Sequence, residues 1–197
     1  MRNLARIPLS LTILAIVLSL AAPPGTFSAS KKETKDQQRE EIRKMSSDTL
    51  ARLYKVQPSA KAAIQQSAGH AVFSNFGMKI FVAGGGSGKG LAVDNRTKKE
   101  TFMKMIEVQA GLGMGIKKFR QVWVFETHKA LEQFVYSGWE LGGQATAAAK
   151  AGEQGASLQG ALAVAPGVWL YQLTGTGLAL ELTAKGTKYY RNDDLNQ

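Results

Sequence analysis

The chain has 197 residues, 44% hydrophobic and 20% charged, with no cysteine and a formal net charge of +10. That apolar share argues against a disordered chain, and the lack of a strict glycine period argues against collagen. Zero cysteine excludes disulfides, thiolate metal sites and cysteine nucleophiles, and His70 and His128 alone do not make a multi-histidine metal cage. The positive balance favours an acidic partner, whether nucleic acid, anionic lipid or a polyanionic envelope polymer.

Residues 1–30 read as a signal peptide. Arg2 and Arg6 form a positive n-region, residues 9–22 are almost purely apolar, Pro23-Pro24-Gly25 breaks any helix, and Ser28-Ala29-Ser30 offers small residues before cleavage after Ser30. The apolar run is about 14–16 residues, short of the roughly 20 that a spanning helix needs. An uncleaved signal anchor is the competing reading. Cleavage leaves 23 − 15 = +8 and an exported protein, periplasmic or associated with the cell envelope, for which nucleic acid is not a natural partner.

Residues 31–46 form a mixed-charge run with a single large apolar side chain before Met45, Ile42, and read as a charged linker to a domain spanning 47–197. Ser47 or Asp48 then caps a short helix with Leu50, Leu53 and Tyr54 on one face, and Pro58 fits the first turn of a second, with Ala60, Ala63 and Ile64 inward. Gly69 ends it. From Ala71 the pattern changes to β-prone runs between glycine-rich turns. Gly84 to Gly90 reads as a hairpin whose backbone needs positive φ, followed by a strand at 91–93, a polar turn at 94–99 and a strand at 101–108. Gly111, Gly113 and Gly115 recur every second residue, which leaves one strand face bare for close packing. Residues 122–125 read as a buried strand, and Thr127 caps a helix with Ala130, Leu131 and Phe134 inward. The alanine-rich 145–151 run fits strand or helix, and strand–turn–strand patterns return through Pro166-Gly167, 168–173, 178–183 and 188–191.

Candidate chemistry is thin. Gly88-Lys89 resembles the middle of a phosphate loop, but Ala83 replaces its first glycine and Gly90 its hydroxyl, and a strand pattern follows instead of a helix. The carboxylates Glu126, Glu132, Glu140 and Glu181 are scattered, and no serine stands in a nucleophile elbow. Glu126 sits where helix N-terminal amides would be its partners. No enzyme activity, metal or cofactor is implied. The basic groups say more: Arg96, Lys98 and Lys99 fall in one predicted turn and Lys117, Lys118 and Arg120 in another, at opposite ends of two strands if those strands pair. Lys89 can reach a phosphate head group from its loop. Attraction to an anionic leaflet is worth about 1 kcal/mol per nearby basic residue. Trp139, Trp169, Tyr171, Tyr189 and Tyr190 suit either a lipid interface or a core, and of Trp123 and Phe125 with Val122 and Val124 one pair must be core.

Several motifs in order carry a resemblance: Ala71-Val72-Phe73; the run from Val82 to Gly90; Gln109-Ala110-Gly111-Leu112-Gly113; Val122-Trp123-Val124-Phe125-Glu126-Thr127; Gly138-Trp139-Glu140-Leu141-Gly142; Gly167-Val168-Trp169-Leu170-Tyr171; and Thr176-Gly177-Leu178-Ala179-Leu180-Glu181. Together they resemble the SYLF domain family, in its exported bacterial branch, related to actin-binding SYLF proteins of yeast and animals. The resemblance implies a compact α+β domain that binds phospholipid, partly through an N-terminal amphipathic helix, where Arg52 and Lys55 would serve here. It does not bring actin as a partner, because Lys99-Glu100-Thr101-Phe102-Met103-Lys104 stands where many eukaryotic members have a W-S-A-P-like segment.

The expectation is therefore an α+β fold with a mainly antiparallel, barrel-like sheet with glycine-rich hairpins, two short N-terminal helices and one helix after the VWVFET strand. Its expected function is non-enzymatic binding of anionic phospholipid at the bacterial cell envelope through Arg52, Lys55, Lys89, Arg96, Lys98, Lys99, Lys117, Lys118 and Arg120. The alternative is a structural envelope protein that binds a protein or polyanion partner; an apolar-ligand carrier is a third reading.

Overall fold

A computed structural model describes residues 33–80, 83–110, 115–141, 158–179 and 186–197. The expected signal peptide (residues 1–30), Gly111, Gly113 and the 145–151 run lie outside the described residues.

The first helix, α1 (Lys35–Val56), is 22 residues long. It opens with a capping box: Gln37 N donates to Thr34 Oγ1 at 3.2 Å, and Thr34 N donates to Gln37 Oε1 at 3.0 Å. Residues 35–46, expected as linker, are thus helical, and neither Ser47 nor Asp48 is the cap. The mixed charges that suggested solvated coil are the helix's outer surface, where Asp36–Arg39, Glu40–Arg43 and Lys44–Asp48 pair one turn apart. Ile42, Ser46, Thr49 and Leu53 form the buried seam beneath them. The second helix, α2 (Ser59–Gln66), buries Ala60 and Ile64 as its pattern requires.

The four long strands are β1 (Gly69–Ile80), β2 (Ala83–Asp94), β3 (Glu100–Ala110) and β4 (Gly115–Phe125). They lie in the order β3-β2-β1-β4, all antiparallel, which is a Greek key. So β3 and β4 do not pair with each other; β4 returns beside β1. A short helix α3 (His128–Glu132), capped by Thr127 Oγ1 accepting from Ala130 N at 3.2 Å, runs into a π-helical turn at Gln133–Ser137. The remaining strands extend the sheet at both edges: β5 (Trp139–Leu141) pairs with β9 (Thr187–Arg191), which pairs with β3, while β7 (Val168–Thr174) pairs with β4 and carries β6 (Leu162–Ala165) and β8 (Gly177–Ala179). The result is the expected α+β fold with a curled antiparallel half-barrel.

The run Gly84 to Gly90 is not a turn. It lies within β2, paired with β1 from Gly84↔Lys79 to Gly90↔Phe73. None of these glycines is among the described residues with positive φ. The requirement is space: a Cβ on Gly90 would stand 2.3 Å from Phe73 Cδ1. Nor does Gly69 cap α2. It opens β1, where a Cβ would meet Leu131 Cδ2 at 2.6 Å and the Val93 carbonyl at 2.6 Å.

The period-2 alternation gives the sheet two buried faces. On the α3 face, Phe73, Trp123, Phe125, Phe134, Trp139 and Tyr189 pack ring against ring at 4.9–6.5 Å. On the α1 face, Val72, Val122, Val124, Tyr171 and Leu173 receive Leu53, Ala60 and Ile64, and Leu91 and Phe102 receive Ile42. Trp169, Tyr171 and Tyr189 are therefore core side chains.

Candidate functional site

The nine expected basic residues separate into distinct places. Arg96, Lys98 and Lys99 occupy the turn between β2 and β3, as predicted. Asp94 builds that turn: its Oδ1 accepts from Arg96 N and Thr97 N, each at 2.8 Å, and Lys98 takes φ 60°. These amide bonds, chiefly that from Thr97, hold the Asp94 carboxyl below its usual pKa. The three basic side chains are exposed and splayed; Lys99 Nζ turns to Tyr136, 3.0 Å from its hydroxyl and 5.7 Å from the ring centroid. Lys55 is exposed on the last turn of α1. Lys89 lies on β2, 3.8 Å from Glu33 and 4.0 Å from Glu41.

Lys117, Lys118 and Arg120 are in no turn. They lie inside β4, opposite Gly77, Phe76 and Ser74 of β1; the side chain of Lys117 lies outside the described residues. A single strand position apart in sequence terms sends alternate side chains to opposite faces, and Lys118 and Arg120 share the α1 face.

There they meet Arg52. Its position one turn before the end of α1 brings the guanidinium over the turn between β7 and β8, where Nη2 donates to the carbonyls of Thr174 and Gly175. Arg120 Nη1 donates to Thr49 Oγ1 at 3.2 Å, and that hydroxyl donates to the Met45 carbonyl at 2.6 Å. Arg52, Lys118 and Arg120 thereby line one open cleft of about 390 Å³, with Ser74, Leu173 and Gly175 completing its wall. No carboxylate is among the described residues lining it. Nη1 and Nε of Arg52 have no protein partner among the described residues. The two guanidiniums, held at fixed positions by neutral oxygens, can pair with an oxyanion at this cleft.

Sequence reasoning selected all three residues but assigned them to a helix and to a turn. It missed Ser74, the β7–β8 carbonyls and Lys104, the last of which follows β3's alternation onto the α1 face beside Phe102. Glu126 also differs from expectation: Oε1 accepts from the indole Nε1 of Trp169 at 2.8 Å instead of from helix amides. Among the described residues no three His, Asp or Glu side chains gather as a metal site requires, and no helix is long and apolar enough to cross a membrane.

Comparison with known proteins fits this architecture. Residues 106–197, from within β3 to the end of the chain, match the family model described as Ysc84, Las17-binding protein actin regulator. The match takes in Lys118, Arg120 and the β7–β8 turn, with α1 outside it. A curated relative, Beta cell expansion factor A of Aeromonas veronii, is 32% identical over 158 residues, 79% of this chain. The chain spans 58% of that relative's length. Both descriptions are of binding or regulatory factors. It is over residues 106–197 that the chain matches the Ysc84 family, in agreement with the SYLF domain resemblance of its motifs.

Proposed function

We propose that the chain is a non-enzymatic module that binds anionic phospholipid at the cell envelope, with the phosphate held in the Arg52–Lys118–Arg120 cleft. The observation that carries this reading is the convergence of Arg52, Lys118 and Arg120 on one open cleft, with no carboxylate among the described residues that line it. An acidic partner in that position gains charge-assisted hydrogen bonds from Arg52 and Arg120, which among the described residues bond only neutral oxygens. The match to a family described as binding and regulatory supports a binding role. The net positive charge adds long-range attraction to an anionic leaflet. Actin is not a proposed partner, and a periplasmic or envelope location remains part of the proposal, resting on the signal-like residues 1–30.

The test is co-sedimentation of the protein with vesicles of phosphatidylglycerol in phosphatidylcholine, against phosphatidylcholine alone, at low and high salt. Selective binding that weakens with salt is expected, with a loss of about tenfold or more in the double variant Lys118→Gln/Arg120→Gln. Equal binding to both vesicles, or an unaffected double variant, would overturn the cleft. Binding to neither vesicle would transfer the site to a protein or polyanion partner.

A further inference from the structure

The α3 face of the sheet carries its own opening, at the end of β2 and β3 where their turn meets α3. Gly69 sets the approach: its bare backbone admits Leu131, whose Cδ2 would stand 2.6 Å from a Cβ there. Thr127 caps α3, and the helix then widens into the π-helical turn Gln133–Ser137. Such i→i+5 turns are rare and occur frequently at functional sites. Here Val135 and Tyr136 of that turn join Leu131 and Glu132 of α3 along one side of a cavity of about 200 Å³, with the β2–β3 turn along the other. Drug-sized ligands occupy about 300–1,000 Å³, so this space suits something smaller.

The floor is apolar save for one group. Ala92, Leu131 and Val135 are buried members of the α3-face core. Thr101, opposite Ala92 in the β2–β3 register, is 7% exposed and lines the same floor. Its hydroxyl makes no hydrogen bond among the described residues. A hydroxyl so nearly enclosed has lost most of its water without gaining a protein partner, a cost that a bound polar group removes.

Charge at the rim narrows the ligand. Arg96 and Lys99 stand there with Asp94 and Glu132. Asp94 is committed: Oδ1 accepts from the Arg96 and Thr97 amides, and Oδ2 lies 3.4 Å from His128 Nδ1. Lys99 is committed too, its Nζ donating to the Tyr136 hydroxyl at 3.0 Å. The side chains of Arg96 and Glu132 make no hydrogen bond or ion pair among the described residues, with each other or with any other group. One guanidinium, one carboxylate and one buried hydroxyl thus remain around an apolar floor. A simple anion would be repelled by Glu132, and a simple cation by Arg96 and Lys99. A zwitterion pairs with both uncommitted charges at once.

We propose that this cavity binds a free α-amino acid with a short uncharged side chain. Its carboxylate pairs with Arg96 and its ammonium with Glu132, while the side chain enters between Ala92, Leu131 and Val135 with the Thr101 hydroxyl beneath. The site lies on the other face of the sheet from the Arg52–Arg120 cleft and does not rest on the phospholipid reading.

The test is titration of the full chain with L-valine and L-leucine, each beside the acid that lacks its amino group and the amine that lacks its carboxylate. Binding is read by heat and, in parallel, by the amide chemical shifts of residues 92–101 and 131–136. At least one amino acid is expected to bind with a Kd of about 1 mM or tighter, and its acid and amine counterparts about tenfold more weakly. Arg96→Gln and Glu132→Gln should each weaken the amino acid about tenfold, with opposite effects on selectivity. Glu132→Gln no longer distinguishes the amino acid from the acid, and Arg96→Gln no longer distinguishes it from the amine. Both positions are exposed, and thermal melts establish that each variant is folded. The absence of saturable binding by both readouts overturns the site. Equal affinity of the unaltered protein for the acid or the amine overturns the zwitterion. Binding that neither substitution weakens overturns the assignment to this cavity.

Discussion

At Gly90 the side chain that is missing matters most. Phe73 fills that space at 0% exposure, in contact with Phe134 and Tyr189. Gly90→Ala is expected to destabilise the protein by about 1–3 kcal/mol through overpacking, read as a lower midpoint in denaturant with an unchanged slope. His70 is a second residue whose surroundings set its behaviour. Its Nδ1 lies 3.1 Å from Asn95 Oδ1, and because Asn95 Nδ2 donates to the carbonyls of Ile64 and Ser67, the ring nitrogen is the donor. Burial pushes the His70 pKa below its usual 6.5; the Asn95 bond opposes this and the Lys98 charge adds to it. The unfolded chain takes up a proton there before the folded chain does. The stabilising contribution is therefore complete above about pH 6.5 and declines as pH falls toward the folded-state pKa. Thermal melts from about pH 7 to 5.5 should show a shallower decline for His70→Gln, which can still donate to Asn95, than for the parent. Parallel curves would remove His70 as the cause.

Among the elements, α1 decides the most. It seals the apolar rows of the α1 face, supplies Arg52, and positions Arg120 through Thr49. Its polar tethers bind it to distant parts of the chain: Arg39 donates to the carbonyls of Leu195 and Gln197, and Arg43 to Glu100. Leu53, at 0% exposure, is the most buried apolar side chain of its seam. Leu53→Ala should cost about 2–5 kcal/mol, measured by equilibrium unfolding. Thr34→Ala removes the cap alone and should cost about 1 kcal/mol in the same measurement. A cost for Leu53→Ala no larger than that for the cap would mean that α1 is not integral to the core. The charge pattern of residues 31–44 was legible in the sequence as an exposed surface. It was not legible as helix, because surface ion pairs and a solvated linker have the same composition, and the seam beneath them is sparse.

For the molecule as a whole, the question is which basic group meets an anionic surface. The Arg96–Lys99 turn lies at the Gly69 end of β1 and Arg120 opposite Ser74, five residues or about 17 Å farther along the sheet. At physiological salt the Debye length is about 8 Å, so the two groups act independently. Arg96→Gln/Lys98→Gln/Lys99→Gln is expected to weaken binding to phosphatidylglycerol vesicles less than Lys118→Gln/Arg120→Gln, at about 0.15 M salt. The opposite ranking would place the contact at the turn.

Much of the architecture could be read from local patterns. The strand at 122–125, the Thr127 cap, the Asp94 turn and the α+β class all follow from alternation, capping chemistry and turn residues, each of which acts over a few neighbours. The glycine run of β2 was visible but misjudged, since local rules associate glycine with turns, whereas Gly88 and Gly90 answer to Met105 and Phe73 on neighbouring strands. Composition likewise gave the sign of the partner's charge without giving the site. Arg52 and Arg120 are 68 positions apart, and no local rule predicts that β4 returns beside β1 or that α1 crosses over both. Strand order and register are set by which apolar faces can be buried together, a property of the whole chain, and it is that long-range packing that turns three separate cations into one cleft.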